Sequence, residues 1–148
     1  MSLFIDNMFR YWQARRAEDI AYIAHKGQKR RGTEKDYIEH PKAIVQRMKD
    51  NGIDNKLYHA VAWLHDVLED TKVTAEELEQ KGIASSVLKA VELLTKKKNK
   101  TYKEYLSELK KNEMARTVKI YDMIENLSDR PTEKQIKKYA RGLAYLTE

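Results

Sequence analysis

The sequence has no cysteine, only two prolines and only five glycines among its 148 residues. Without thiols it can form neither a disulfide nor a thiolate metal site. Any metal must be held by His, Asp, Glu, Asn or water, as suits an intracellular chain. So few prolines and glycines leave little punctuation in the backbone, most of it in loops. No stretch approaches the ~20 consecutive apolar residues of a membrane span, and no apolar N-terminal segment has the form of a secretory signal. A cytoplasmic protein with no membrane association is therefore expected. Also missing are alternating β-branched runs long enough to demand a sheet, a Gly-rich phosphate loop, zinc-finger spacing and the aromatic motif of RNA-recognition modules.

What is there reads as helix. A first helix is expected over residues 6–28, with Phe9, Trp12, Ile20 and Ile23 among its apolar positions and Gly27 near its end. Gly32 to Glu39 is a polar loop. His40-Pro41 opens a second helix that Asn51-Gly52 stops. Asp54 can cap a third, Thr74-Ala75-Glu76-Glu77 and Thr101-Tyr102-Lys103-Glu104 read as capping boxes, and an apolar helix through Val87, Leu88, Val91 and Leu94 lies between them. A helix from Asn112 to about Leu127 and a last one to Tyr145 flank the break at Asp129-Arg130-Pro131. With no repeat, linker or boundary, residues 1–148 are expected to form one all-α domain of about seven helices, large enough to bury about two-thirds of its unfolded surface.

The formal charge of +6 raises the question of nucleic acid. The cations sit in short runs (Lys29-Arg30-Arg31, Lys96-Lys97-Lys98, Lys110-Lys111, Lys137-Lys138) interspersed with acids along helices. That pattern fits solvated helix faces, some of which can receive the phosphates of a small anionic substrate. Nucleic acid is disfavoured as a partner.

The chemistry concentrates in Ala60-Val61-Ala62-Trp63-Leu64-His65-Asp66-Val67-Leu68-Glu69-Asp70-Thr71, where an apolar helical run ends in ionisable residues with no lysine or arginine among them. On a continuous helix Glu69 follows His65 by one turn and Asp70 follows Asp66, giving two adjacent stripes. Three carboxylates so close repel, and half-burying them favours protonation. A divalent cation resolves the conflict, since imidazole and carboxylate both suit a first-row ion. Further along, Asp122 and Asn126 share a helix face, Asp122 interrupting the apolar stretch Val118, Ile120, Tyr121, Met123, Ile124. Taken singly, His40 reads as a capping or core residue, His25 as a packed histidine bonded to backbone, and His59 as structural or exposed.

Together these segments resemble the hydrolase domain of RelA/SpoT-type alarmone enzymes, within the HD-domain metal-dependent phosphohydrolases. The resemblance is carried by Ala24-His25-Lys26-Gly27-Gln28-Lys29-Arg30, Tyr37-Ile38-Glu39-His40-Pro41, His65-Asp66-Val67-Leu68-Glu69-Asp70-Thr71, Leu94-Thr95-Lys96 and Arg116-Thr117-Val118-Lys119-Ile120-Tyr121-Asp122 with Asn126, spanning about residues 21–127. It implies an HD-domain helical bundle and one Mn²⁺, or another divalent first-row ion, on His40, His65, Asp66 and Asp122. It further implies Glu69 and Asp70 as the acid/base pair, and Arg30, Lys119 and Asn126 as substrate contacts. The implied reaction removes the 3′-pyrophosphate of guanosine tetra- or pentaphosphate, (p)ppGpp. No synthetase domain is in the sequence, so a small stand-alone hydrolase is expected.

The sequence departs from the family pattern in two places. The loop from Arg30 to His40 is one residue longer and lacks a Ser-Gly-Glu-Pro run, which leaves Arg30 and Arg31 competing for one role. The closing helix has Met123 and Glu125 where the family has a basic residue and a histidine, which would make the pocket less cationic and leaves the substrate open. The alternatives are an HD phosphohydrolase acting on another nucleotide or phosphorylated nucleotide cofactor, a non-catalytic nucleotide sensor, and a basic helical nucleic-acid module.

Overall fold

The computed structural model describes residues 2–148. Among them run nine helices and no strand: α1 (Leu3–Ala24), α2 (Glu39–Asp50), α3 (Lys56–Leu64), α4 (Val67–Asp70), α5 (Ala75–Gln80), α6 (Ser85–Leu94), α7 (Tyr102–Lys110), α8 (Glu113–Leu127) and α9 (Glu133–Leu146). The fold is all-α, as expected. Most helices start where the sequence supplies a cap. At α7, Thr101 Oγ1 accepts from the Glu104 N–H while the Glu104 side chain accepts from the Thr101 N–H, a complete capping box. Asn112 caps α8 through Ala115 N–H, and Thr132 with Gln135 forms a second complete box at α9. At α3 the cap is Asn55, which accepts from Leu57 N–H at 2.9 Å, and not Asp54.

α3 is the central helix. His59 to Leu64 are six consecutive buried residues, the signature of a helix covered on all sides. α1, α2, α6 and α8 pack around it, and α9 closes over α7 and α8. α1 offers α3 a narrow face of Gln13, Ala17, Ile20 and Ala21. Gln13 is tolerated there because both ends of its amide are bonded, Nε2 to the Gly82 carbonyl at 2.8 Å and Oε1 from Ala84 N–H at 2.9 Å. Of the apolar positions read for this helix, only Ile20 is buried. Phe9 and Trp12 are half-exposed and Ile23 is exposed.

The expected continuous helix through His65 and Glu69 is broken. α3 stops at Leu64, His65 closes a tighter turn onto Ala62, and Asp66 sits at φ −110°, ψ 1° before α4 restarts. This break splits in two the helix expected there, and nine helices stand among the described residues where about seven were expected. It also turns the His65 and Asp66 side chains inward together, which one continuous helix would not do. A second local device is the loop after α1. Tyr37 N–H to the Gln28 carbonyl (2.8 Å) and Arg30 N–H to the Lys35 carbonyl (2.9 Å) pin its two arms, and Gly32 at φ +69° turns its tip. That pinning delivers Arg30 and Tyr37 to the start of α2.

Candidate metal centre

Four separate segments converge beside the α3–α4 break: the start of α2 with His40, the break itself with His65 and Asp66, α8 with Asp122, and the Gln28–Tyr37 loop. His40, His65 and Asp122 are buried. His40 Nε2 lies 2.8 Å from Asp122 Oδ1, and His65 Nε2 lies 3.1 Å from Asp66 Oδ2 and 3.4 Å from Asp122 Oδ1. His65 Nδ1 donates to the Ala62 carbonyl at 2.7 Å. A carbonyl only accepts, so Nδ1 carries a proton and the ring turns Nε2 toward two carboxylate oxygens. That nitrogen has no hydrogen-bond partner although it is buried. Acceptors facing acceptors in a buried crevice call for a cation. His40, His65 and Asp66 each offer a donor atom within 4.8 Å of the others, so the residues present fit a divalent metal.

The charges respond to this crowding. Burial raises the Asp66 carboxyl well above the usual range, and Asp122 and Asp70 push it further the same way. Burial also acts against the charge on Asp122, but the Lys119 ammonium and the hydrogen bond from His40 outweigh it and hold Asp122 well below the carboxylate range. Burial lowers His40, with the bond to Asp122 opposing.

Glu69 and Asp70 are exposed at the mouth, each offering an oxygen within 4.8 Å of one from Asp66. Glu69 Oε1 accepts from the Lys96 backbone N–H at 2.9 Å, which ties the Leu94-Thr95-Lys96 element to α4. Arg30, not Arg31, faces the site. Its Nη2 donates to Asn126 Oδ1 and to Asp129 Oδ2, both at 3.2 Å, while Arg31 is exposed. Asn126 Nδ2 in turn lies 3.3 Å from Asp122 Oδ1, so Arg30 and the metal-site acid share one intermediary. Lys119 is placed differently from a substrate contact: its Nζ sits 2.9 Å from Asp122 Oδ2, largely buried. Met123 is fully buried and points away from the crevice, against Gly142, and Glu125 is paired with Arg47 Nε at 2.9 Å.

Two residues do more at the site than the sequence reading gave them. Tyr37 is buried and its hydroxyl donates to Asp66 Oδ2. His25 is buried against Tyr37 (ring centroids 4.6 Å apart), with Nδ1 held by Gln28 Oε1 at 2.7 Å rather than by backbone, and with Nε2 unpartnered. Neither has a periodic signal, since a loop and a helix end bring them in. The signal that was available is Tyr37 lying three residues before His40. His59 is structural: Nε2 bonds the Ile53 carbonyl at 2.8 Å.

No family model matches the chain. Among curated proteins it is 30% identical over 121 residues to the Xenopus tropicalis guanosine-3′,5′-bis(diphosphate) 3′-pyrophosphohydrolase MESH1, covering 76% of this chain and 66% of that one. The chain belongs to the HD-type alarmone-hydrolase family. It is 37% identical over 120 residues to the bifunctional (p)ppGpp synthase/hydrolase SpoT of Escherichia coli K12, covering 78% of this chain. It spans 17% of the length of that relative and 12% of the matching Aquifex aeolicus enzyme. A solved structure described as a metazoan ortholog of SpoT that hydrolyzes ppGpp has the same fold, with a TM-score of 0.73 at 22% identity over 90% of this chain and 84% of that one. No helix of the described residues is long and apolar enough to cross a membrane.

Proposed function

We propose that the protein is a metal-dependent (p)ppGpp 3′-pyrophosphohydrolase working on a free nucleotide in the cytoplasm, with His40, His65, Asp66 and Asp122 holding one Mn²⁺. The observation that carries this reading is the unpartnered Nε2 of His65, held by its own turn against two carboxylates. When bound, the ion supplies Lewis acidity at the 3′ phosphates. Glu69 and Asp70 carry a proton from the attacking water to the departing 3′ oxygen, so that water and ppGpp give GDP and pyrophosphate. Glu69 is steadied for this by the Lys96 N–H. Arg30 offers its guanidinium to phosphate from beside Asn126, which faces the nucleoside. Lys119 supports the site by keeping Asp122 ionised, which modifies the expected substrate contact.

The departure that left the substrate open loses its force. Met123 lies inside the core, and the charge of Glu125 is matched by Arg47, so neither strips cations from the crevice. The test is product release over a nucleotide panel with Mn²⁺, Mg²⁺ and chelator. Pyrophosphate and GDP from ppGpp, abolished by chelator, are expected. Robust turnover of another nucleotide with none of ppGpp would overturn the substrate assignment.

A further inference from the structure

No residue from Leu3 to Trp12 of α1 is buried, although Phe4, Ile5, Met8, Phe9, Tyr11 and Trp12 are all large and mainly apolar. At 3.6 residues per turn, Phe4, Met8 and Tyr11 fall on one row of the helix and Ile5, Phe9 and Trp12 on the next. The first row lies opposite the Gln13, Ala17, Ile20 and Ala21 face that α1 turns to α3. The helix therefore has packing surface on two opposite sides, one used by its own fold and one open. Trp12 is braced from behind: a Cβ on Gly82 would come within 2.8 Å of its ring, and the Arg16 guanidinium stands 5.6 Å from the ring centre. Exposures of 47% to 71% on these six side chains leave roughly 800 Å² open, more than the roughly 300–600 Å² of the largest patch on an ordinary monomer and close to what each partner buries in a stable complex. Charge selects the occupant. Past the apolar rows, the outward side of α1 carries Glu18 and the Arg15–Asp19 pair at 3.7 Å, so it has no cationic excess to offer an anionic lipid surface. A second copy brings the same uncharged rows, and a twofold pairing requires only that a patch fit itself.

We propose that this face of α1 is a self-association surface, joining two copies of the chain with their α1 helices antiparallel about a twofold axis near Met8. Met8 is at the middle of the two rows, so this pairing sets Phe4 against Trp12 of the partner subunit. None of the proposed metal ligands or acid/base residues lies on α1, so the interface stands or falls apart from the hydrolase reading.

The test is sedimentation of the full chain across micromolar concentrations, joined to cysteine crosslinking, which a chain without native cysteine makes clean. Wild type should sediment as a concentration-dependent mixture of monomer and dimer. Met8→Glu/Tyr11→Glu should raise the dissociation constant roughly 100-fold or more, since the contact would then bury charges without partners. Met8→Ser/Tyr11→Ser, checked by thermal melting, decides the matter if the glutamate variant fails to fold. Ile23→Glu changes a residue 77% exposed on the same helix, roughly 22 Å along the axis from Met8, and should leave association unchanged. Under mild oxidation Met8→Cys should crosslink into dimers and Ile23→Cys should not. Wild type monomeric at every concentration, unchanged association in the folded double variants, or Ile23→Cys crosslinking as readily as Met8→Cys would overturn the proposal. Pelleting of a monomeric wild type with phosphatidylglycerol vesicles would overturn it in favour of a lipid surface.

Discussion

The crevice at the α3–α4 break and the groove between α7 and α9 hold opposite charges. Asp66, Asp122, Glu69 and Asp70 gather in the first, with Lys119 bonded to Asp122. The second collects Lys96, Lys103, Lys134, Lys137, Lys138 and Arg141 and no acid. The two charge sets are also held differently. The acids at the heart of the crevice are short side chains on buried backbone, which cannot retreat to water, so they are neutralised by proton, by Lys119 or by metal. The lysines stand on long flexible stems that let their heads reach water. A net charge of +6 therefore describes neither region. What decides the chemistry is which charges the packing forbids to separate.

The sharpest way to break the contrast is to empty the crevice of ligands. His65→Ala and Asp66→Ala should each abolish metal retention and cut turnover of ppGpp by roughly 10³-fold or more, because the charge stabilisation a metal supplies is worth several kcal/mol. Equal metal content by elemental analysis in wild type and both variants would show the ligands are misassigned.

Next in size is the cation inside the crevice. Lys119→Met leaves Asp122 buried without its ammonium, and removing one partner of a buried pair costs about 3 kcal/mol or more. Chelated protein should show that loss in denaturant melts, and Mn²⁺ should restore part of it by binding only the folded state. A loss that metal leaves untouched would mean Lys119 serves packing alone.

Glu69→Gln sharpens the contrast at the mouth. Glutamine keeps shape and an acceptor for the Lys96 N–H, so metal content should hold. The kcat should fall by roughly 10²-fold with KM changing much less, the pattern of a lost general acid or base. Near wild-type kcat would make Glu69 a bystander, and loss of the metal would make it a ligand.

The smallest expected effect comes from a group belonging to neither region. Burial lowers the His59 pKa from 6.5, so the folded protein keeps the ring neutral while the unfolded chain protonates it below that value. Its contribution to stability is complete above pH 6.5 and lost as pH falls toward the folded-state pKa, at no more than about 1.4 kcal/mol per pH unit. His59→Gln retains a donor for the Ile53 carbonyl and should flatten the fall in melting temperature between pH 7 and 5. His25 and His40 keep the rest of the slope. An identical pH profile in the variant would mean that His59 is not buried neutral.

What the sequence determined by itself is what short-range chemistry controls. The all-α architecture, the caps Thr101 and Asn112, and Asp122 with Asn126 on one face all depend on bonds spanning three or four residues, which spacing alone displays. The His65-Asp66 dipeptide and its acids were legible for the same reason. Only the tertiary structure decided the rest. Whether the chain stops at Leu64 or continues as helix is local in extent, but the burial of His65 and Asp122 against each other is what the break accommodates. The choice of Arg30 over Arg31 depends on Asn126 and Asp129, about a hundred residues away in sequence. Tyr37 on Asp66, Met123 in the core and the meeting of two lysine runs in one groove are likewise products of packing. Sequence spacing carries no record of such contacts, because their distance is set by which helix faces are buried together and not by the chain between them.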